Sequence, residues 1–222
     1  MARSRPKPIL PQAATAHFEP RSPSQRLAQR LYASKDLIFL LGPAGSGKTL
    51  TAVALAAMDV LSDSCRKKII SVRPAVQADR ELGFLKGDLQ EKLAPYTVPI
   101  RQNLDKVAFR FPAERLEFEA LGYTRGVTWD DCIVILDEAQ NATYRQLLLV
   151  ISRLGEGSKL LITGDPEQAD VVSTGDYQTD LEEIVERLEQ APGVGVVDFP
   201  ENECHRHPVL KTVLPKLIPR RK

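Results

Sequence analysis

The sequence predicts an α/β fold of three layers, a mostly parallel sheet with helices on both faces. Three observations predict it. Short apolar runs alternate with segments of helical spacing along most of the chain, the pattern of parallel strands joined by helical crossovers. One such run, 38–41, stops at a glycine-rich loop that opens a helix. Another, 133–136, ends on two carboxylates, Asp137 and Glu138.

Taken in order, residues 1–20 carry Arg3, Arg5, Lys7, Pro6, Pro8 and Pro11 with little apolar periodicity. They read as a flexible basic arm, solvated or touching a polyanion. Residues 38–41 are a buried strand, and 49–61, rich in Ala and Leu, a helix. A second strand covers 69–72. The stretch 75–125 breaks the rhythm with Pro95, Pro99 and Pro112, and only 116–121 has a strand pattern. It reads as an insertion on the ligand edge of the sheet. The third strand is 133–136. Leu147, Val150, Ile151 and Leu154 give 144–154 helical spacing up to Gly155. A strand at 160–163 runs into Gly164-Asp165-Pro166, a charged helix covers 177–190, and a strand at 194–199 and a helix at 209–218 follow. One domain, 21–218, is expected between the arm and a basic tail, 219–222.

The 222 residues suit one sizeable core, and 43% hydrophobic with 27% charged is an ordinary globular balance. A net charge of +1 confines any site for a polyanion to a local patch. The three cysteines, Cys65, Cys132 and Cys204, form no C-x-x-C pair, which points away from zinc and disulfides and towards a reduced, cytoplasmic setting. No apolar run is long enough for a bilayer, so no membrane partner is expected. The N-terminus has no secretory apolar core.

Gly42-Pro43-Ala44-Gly45-Ser46-Gly47-Lys48-Thr49 is G-x-x-x-x-G-K-T between a strand and a helix, the context in which this pattern binds phosphate. Its backbone N–H groups can curl around phosphate oxygens, and the helix N-terminus adds partial positive charge. Lys48 would reach the β- and γ-phosphates, and Thr49 would ligate Mg²⁺. Asp137 would hold the same ion, directly or through water. Glu138 is placed to activate water as a general base. ATP with Mg²⁺ is the expected ligand pair. Gln140 is either a γ-phosphate sensor or a plain polar residue. Gly164-Asp165-Pro166-Glu167-Gln168 reads equally as a simple turn and as a strand end whose Asp165 and Gln168 contact the γ-phosphate and the attacking water.

Asp137-Glu138-Ala139-Gln140-Asn141 and Gly164-Asp165-Pro166-Glu167-Gln168 resemble helicase motifs II and III of superfamily one. Arg73-Pro74-Ala75-Val76, Leu82-Gly83-Phe84-Leu85, Gly87-Asp88, Arg125-Gly126 with Thr128, and Arg206-His207-Pro208 are similar to the PhoH family, ATPases of bacteria and phages, over residues 22–217. Asp79-Arg80, Lys86 and Gln102 depart from its usual pattern. The resemblance implies a RecA-like core, with Gln25 reading adenine and Arg206 reaching a γ-phosphate in its own or a neighbouring subunit. Arg153 is an alternative for that trans role. The resemblance also implies helicase-like activity on single-stranded RNA or DNA. Arg73, Pro74, Arg125 and Thr128 would contact the strand, and Tyr96 or Trp129 would stack a base. A homo-oligomer, in the form of a hexameric ring, and a bacterial or phage-infected host cytoplasm complete the expectation. Two other readings stay open: a nucleotide-gated interaction module without motor activity, and a small-molecule kinase of similar length.

Overall fold

The computed structural model describes residues 13–62, 66–74, 89–121, 126–168 and 179–204, with Val209 and Val213. Arg125, Arg206, the chain ends 1–12 and 219–222, and most of the expected helix 209–218 lie outside the described residues.

Eight strands are described: β1 Thr15–Ala16, β2 Leu37–Leu41, β3 Lys68–Arg73, β4 Ala108–Phe109, β5 Leu116–Ala120, β6 Cys132–Leu136, β7 Lys159–Gly164 and β8 Val194–Asp198. The helices are α1 Pro23–Ser34, α2 Lys48–Val60, α3 Leu89–Val107, α4 Tyr144–Ile151 and α5 Asp180–Leu188. Six strands form one sheet in the order β5-β3-β6-β7-β2-β8, and every pairing in it is parallel. β2, β6 and β7 are buried along their whole length. That is why they read as continuous apolar runs rather than as alternation. The two-residue side-chain period still sorts them. Ile38, Leu40, Ile133, Ile135 and Leu161 face one core with α2, and Leu37, Phe39, Val134, Leu136, Leu160 and Ile162 face the other with α4 and α5. Three layers result, as the sequence predicts.

Caps set the helix boundaries. Ser22 accepts from the Gln25 N–H at 3.2 Å, with Pro23 opening α1. Thr143 and Gln146 form a reciprocal capping box on α4. Thr179 caps α5, whose first turn is acidic.

Part of the stretch 75–125 belongs to the sheet itself. β5 is an edge strand, paired with β3 from Ile69↔Leu116 to Arg73↔Ala120. α3 runs as a helix through Pro95 and Pro99 and packs along α2. Ile100, Leu104 and Val107 are buried in the α2-side core. Prolines inside a helix remove backbone donors; here the burial of that i, i+4, i+7 stripe offsets the loss. The N-terminal arm is also tied down in its described part. β1 pairs antiparallel with β4, the His17 N–H donates to the Val107 carbonyl at 2.8 Å, and Ala16 and Phe18 pack on the core.

Candidate nucleotide site

The site lies at the C-terminal ends of β2, β3, β6 and β7, where ligands of open parallel sheets bind. The loop after β2 must be glycine-rich for reasons visible in its neighbours. Gly42 has φ +131°, and a Cβ there would stand 2.2 Å from the Phe199 carbonyl oxygen. Gly47 is the left-handed N-cap of α2, and a Cβ on it would lie 3.0 Å from Gln25 Nε2. The Gly42 N–H donates to the Gly164 carbonyl at 3.1 Å, which ties this loop to the end of β7.

Lys48 folds back over its own loop, donating to the carbonyls of Gly42 and Pro43 at 2.5 and 2.8 Å. Burial lowers its pKa from the ordinary lysine value, opposed by the negative charges of Asp165, Glu138 and Asp137 and by Cys204. Asp137 is almost fully buried and has three donors. The hydroxyls of Thr49 and Thr163 reach its Oδ1 at 2.8 and 2.6 Å, and a guanidinium nitrogen of Arg73 reaches its Oδ2 at 2.9 Å.

Glu138 is exposed and sits in the left-handed region, φ +60° and ψ +42°. For a residue other than glycine this costs on the order of 1–3 kcal/mol. Buried Gln140 holds the carboxylate: its Nε2 donates to Glu138 at 2.6 Å, while its Oε1 accepts from the Asp165 N–H at 3.0 Å. Gly164 beneath it has no room for a side chain, since a Cβ would meet Leu181 at 2.6 Å and Gln140 Oε1 at 3.2 Å. Asp165 accepts from the Glu167 N–H through Oδ1 at 3.1 Å. Its Oδ2 is buried without a hydrogen-bond partner among the described residues.

These groups line a cavity of about 740 Å³, ample for a nucleotide. Lys48, Thr49, Asp137, Glu138, Asp165 and Gln168 line it, together with His17, Phe18, Arg21 and Gln25 from the N-terminal segment and α1, and Asn103 and Lys106 from α3. Gln25 is buried; its Oε1 accepts from the Arg21 N–H at 2.7 Å and its amide nitrogen lies against Gly47. The Cys204 thiol lies 3.9 Å from the Ala44 carbonyl, under the loop.

The donors fit Mg²⁺ and a triphosphate. A hydroxyl and a carboxylate from α2 and the end of β6 converge, and an orphaned buried carboxylate oxygen, on Asp165, lines the same cavity. All are hard oxygens suited to that ion. Among the described residues no group of three His, Cys, Asp or Glu forms a metal cage. Mg²⁺ needs none when phosphates complete its shell.

The other expected contacts are not gathered there. Arg73 is engaged by Asp137, at the phosphate end. Thr128 is exposed and precedes the N-terminal end of β6, while Arg73 closes the C-terminal end of the neighbouring parallel strand. About five residues at ~3.3 Å each separate those sheet ends. Trp129 is a packing residue, 2% exposed, whose indole N–H points at Glu119. Arg153 does not line the cavity. Sequence reasoning misses Thr163; its signal is a hydroxyl ending an otherwise apolar strand. It also misses His17, Phe18, Asn103 and Lys106, which only the fold brings together.

The fold and its phosphate loop define a P-loop nucleotide-binding protein with a RecA-like core. The large terminase of a thermophilic bacteriophage shares this fold at TM-score 0.58 and 13% identity, covering 90% of this chain and 51% of that one. The same terminase in complex with ADP does so at TM-score 0.53 and 13% identity, over 90% and 50%. The profile described as PhoH-like protein matches residues 17–217. A PhoH-like protein of Bacillus subtilis is 40% identical over 198 residues, covering 85% of this chain and 61% of that protein. Protein PhoH of Escherichia coli K12 is 38% identical over 192 residues, covering 82% and 52%. The chain belongs to the PhoH-like family, and it spans between half and two thirds of the length of these relatives.

Proposed function

We propose that this chain hydrolyses ATP and uses the reaction to move along, or remodel, single-stranded RNA or DNA. The observation that carries the hydrolytic reading is the placement of Glu138, a carboxylate held by Gln140 at the rim of the cavity that Lys48, Thr49 and Asp137 line.

Each residue then has a role. The loop 42–47 cradles phosphates through its backbone, and Lys48 exchanges its loop carbonyls for β- and γ-phosphate oxygens. Thr49 and Asp137 would hold Mg²⁺, which when bound with nucleotide neutralises the charge of the phosphates. Glu138 takes the proton from the attacking water. Gln168 and Asp165 face the same space from the turn after β7. Gln25 closes the nucleoside wall and selects adenine.

Coupling to a strand is supported by the hydrogen-bonded path Glu138–Gln140–Asp165, which links the base to the turn resembling helicase motif III. An arginine from a neighbouring subunit would complete the site in a homo-oligomeric ring, with the cytoplasm as its setting. The test is phosphate release titrated with RNA and DNA homopolymers, alongside light scattering with and without ATP. Stimulation by one polymer and growth in mass with ATP are expected. A rate indifferent to both polymers in an active preparation removes the motor reading. Full activity as a monomer removes the ring.

A further inference from the structure

We propose that Arg73 occupies the cation position of Asp137, and that Mg²⁺ entering with a nucleotide displaces it. The proposal rests on the reading of the cavity as a Mg·nucleotide site.

Asp137 is buried and carries one formal negative charge, which the Arg73 guanidinium at 2.9 Å on Oδ2 balances. Both Thr49, the other candidate Mg²⁺ ligand, and Thr163 donate to Oδ1, so both oxygens of Asp137 are engaged by protein donors. The Thr49 hydroxyl can offer the ion a lone pair while still donating to Oδ1, but for the ion to draw on Asp137 as well, that carboxylate must share its charge with a second cation. A divalent ion and a guanidinium on one buried carboxylate repel each other. One carboxylate cannot satisfy both at full strength, so the two compete.

The guanidinium is also incompletely satisfied where it is. Arg73 Nε is buried without a hydrogen-bond partner among the described residues, although the group has five donors to place. The side chain is 23% exposed, so it is not locked in by packing on every side. Arg73 is the last residue of β3. Its release from Asp137 therefore acts directly on the C-terminal end of β3 and on Pro74. The exchange makes Arg73 a positioning residue that reports the metal state of the site.

The experiment is binding of a fluorescent ADP analogue titrated with Mg²⁺, and again in EDTA, for the unaltered chain, Arg73→Met and Arg73→Lys. ADP is used because it has no γ-phosphate for the arginine to serve. Half-saturating Mg²⁺ is expected to fall about tenfold or more in Arg73→Met, the size that losing a competing charge-assisted hydrogen bond carries. Arg73→Lys, which keeps the charge, should fall by less. Affinity in EDTA should stay within about twofold across the three proteins. An unchanged or higher Mg²⁺ requirement in Arg73→Met overturns the exchange. So does a parallel loss of affinity in EDTA, which would make Arg73 a prop of the site. If the unaltered chain binds no ADP at any Mg²⁺, the reading of the cavity fails and the exchange fails with it.

Discussion

Replacing Gln140 with methionine removes both ends of the path between Glu138 and the turn after β7, while keeping the side-chain volume similar. The Asp165 N–H, now bonded to Gln140 Oε1 at 3.0 Å in a buried setting, would lose its acceptor. A buried donor left unmade costs about 1–3 kcal/mol. For a domain of about 150–250 residues each kcal/mol is worth roughly 2–4 °C in Tm, so the melting point should fall by about 2–12 °C. At the other end Glu138 would lose a 2.6 Å bond to its carboxylate. An exposed glutamate without that anchor samples rotamers that point away from the attacking water. General-base catalysis contributes about 10²–10⁴-fold, and misorienting the base forfeits part of it, so kcat should fall about 10- to 100-fold. Gln140 does not need to touch phosphate for this, and ADP affinity should be unchanged within about twofold. Single-turnover hydrolysis, ADP titration and a thermal melt on the same preparation separate the effects. An unchanged kcat refutes the positioning role. A loss of ADP affinity with kcat intact would make Gln140 a phosphate contact instead.

Three further outcomes follow from the packing around the site. Gly42→Ala must place a Cβ 2.2 Å from the Phe199 carbonyl oxygen at φ +131°; it should cost at least about 3 kcal/mol, measured by thermal or denaturant unfolding. Glu119→Gln should stabilise the fold at pH 7 and not at pH 4. Burial holds the Glu119 carboxyl above its ordinary 4.5, helped by Glu117 and opposed by the Trp129 hydrogen bond and Lys68. Between the ordinary 4.5 and its raised folded value the folded state keeps a proton that the unfolded chain releases, so the penalty is absent below 4.5, grows through that window and is fully present above it. Glutamine keeps an acceptor for the Trp129 indole, 3.3 Å away, and melts at the two pH values check the sign. Lys48→Ala should lower affinity for an ATP analogue at least about tenfold by deleting the cation at the phosphates, with the melt showing whether the fold survives.

The parts of this molecule that declare themselves in the sequence are those whose physics is local. β2, β6 and β7 are buried on both faces, so their residues are apolar without alternation. The loop 42–49 needs glycines because of its own φ values and its own close neighbours. Asp137 and Glu138 are adjacent to an apolar strand that aims them. α3 is hidden because Pro95 and Pro99 oppose its local propensity, and it is the docking of Ile100, Leu104 and Val107 on α2 that overrides them. The spacing of those three residues is the available signal. β5 carries a strand pattern, yet its place beside β3 depends on a pairing between segments far apart in the chain. Arg73 shows the limit most clearly. Nothing in its motif announces the ion pair with Asp137, which the parallel pairing of β3 with β6 sets up. Thr163 and the cavity-lining residues His17, Phe18, Asn103 and Lys106 are likewise products of topology, drawn from segments that share no local motif.

Hydrolysis of ATP through Glu138 is decided by comparing the unaltered chain with Glu138→Gln in Mg²⁺. Glutamine can still pair with Gln140 and leaves Lys48, Thr49 and Asp137 in place, so the variant should bind an ATP analogue within about threefold of the unaltered chain. Its phosphate release should fall at least about 100-fold, the share of a general base. Phosphate release from Glu138→Gln at the rate of the unaltered chain, with equal nucleotide affinity, would rule out Glu138 as the base.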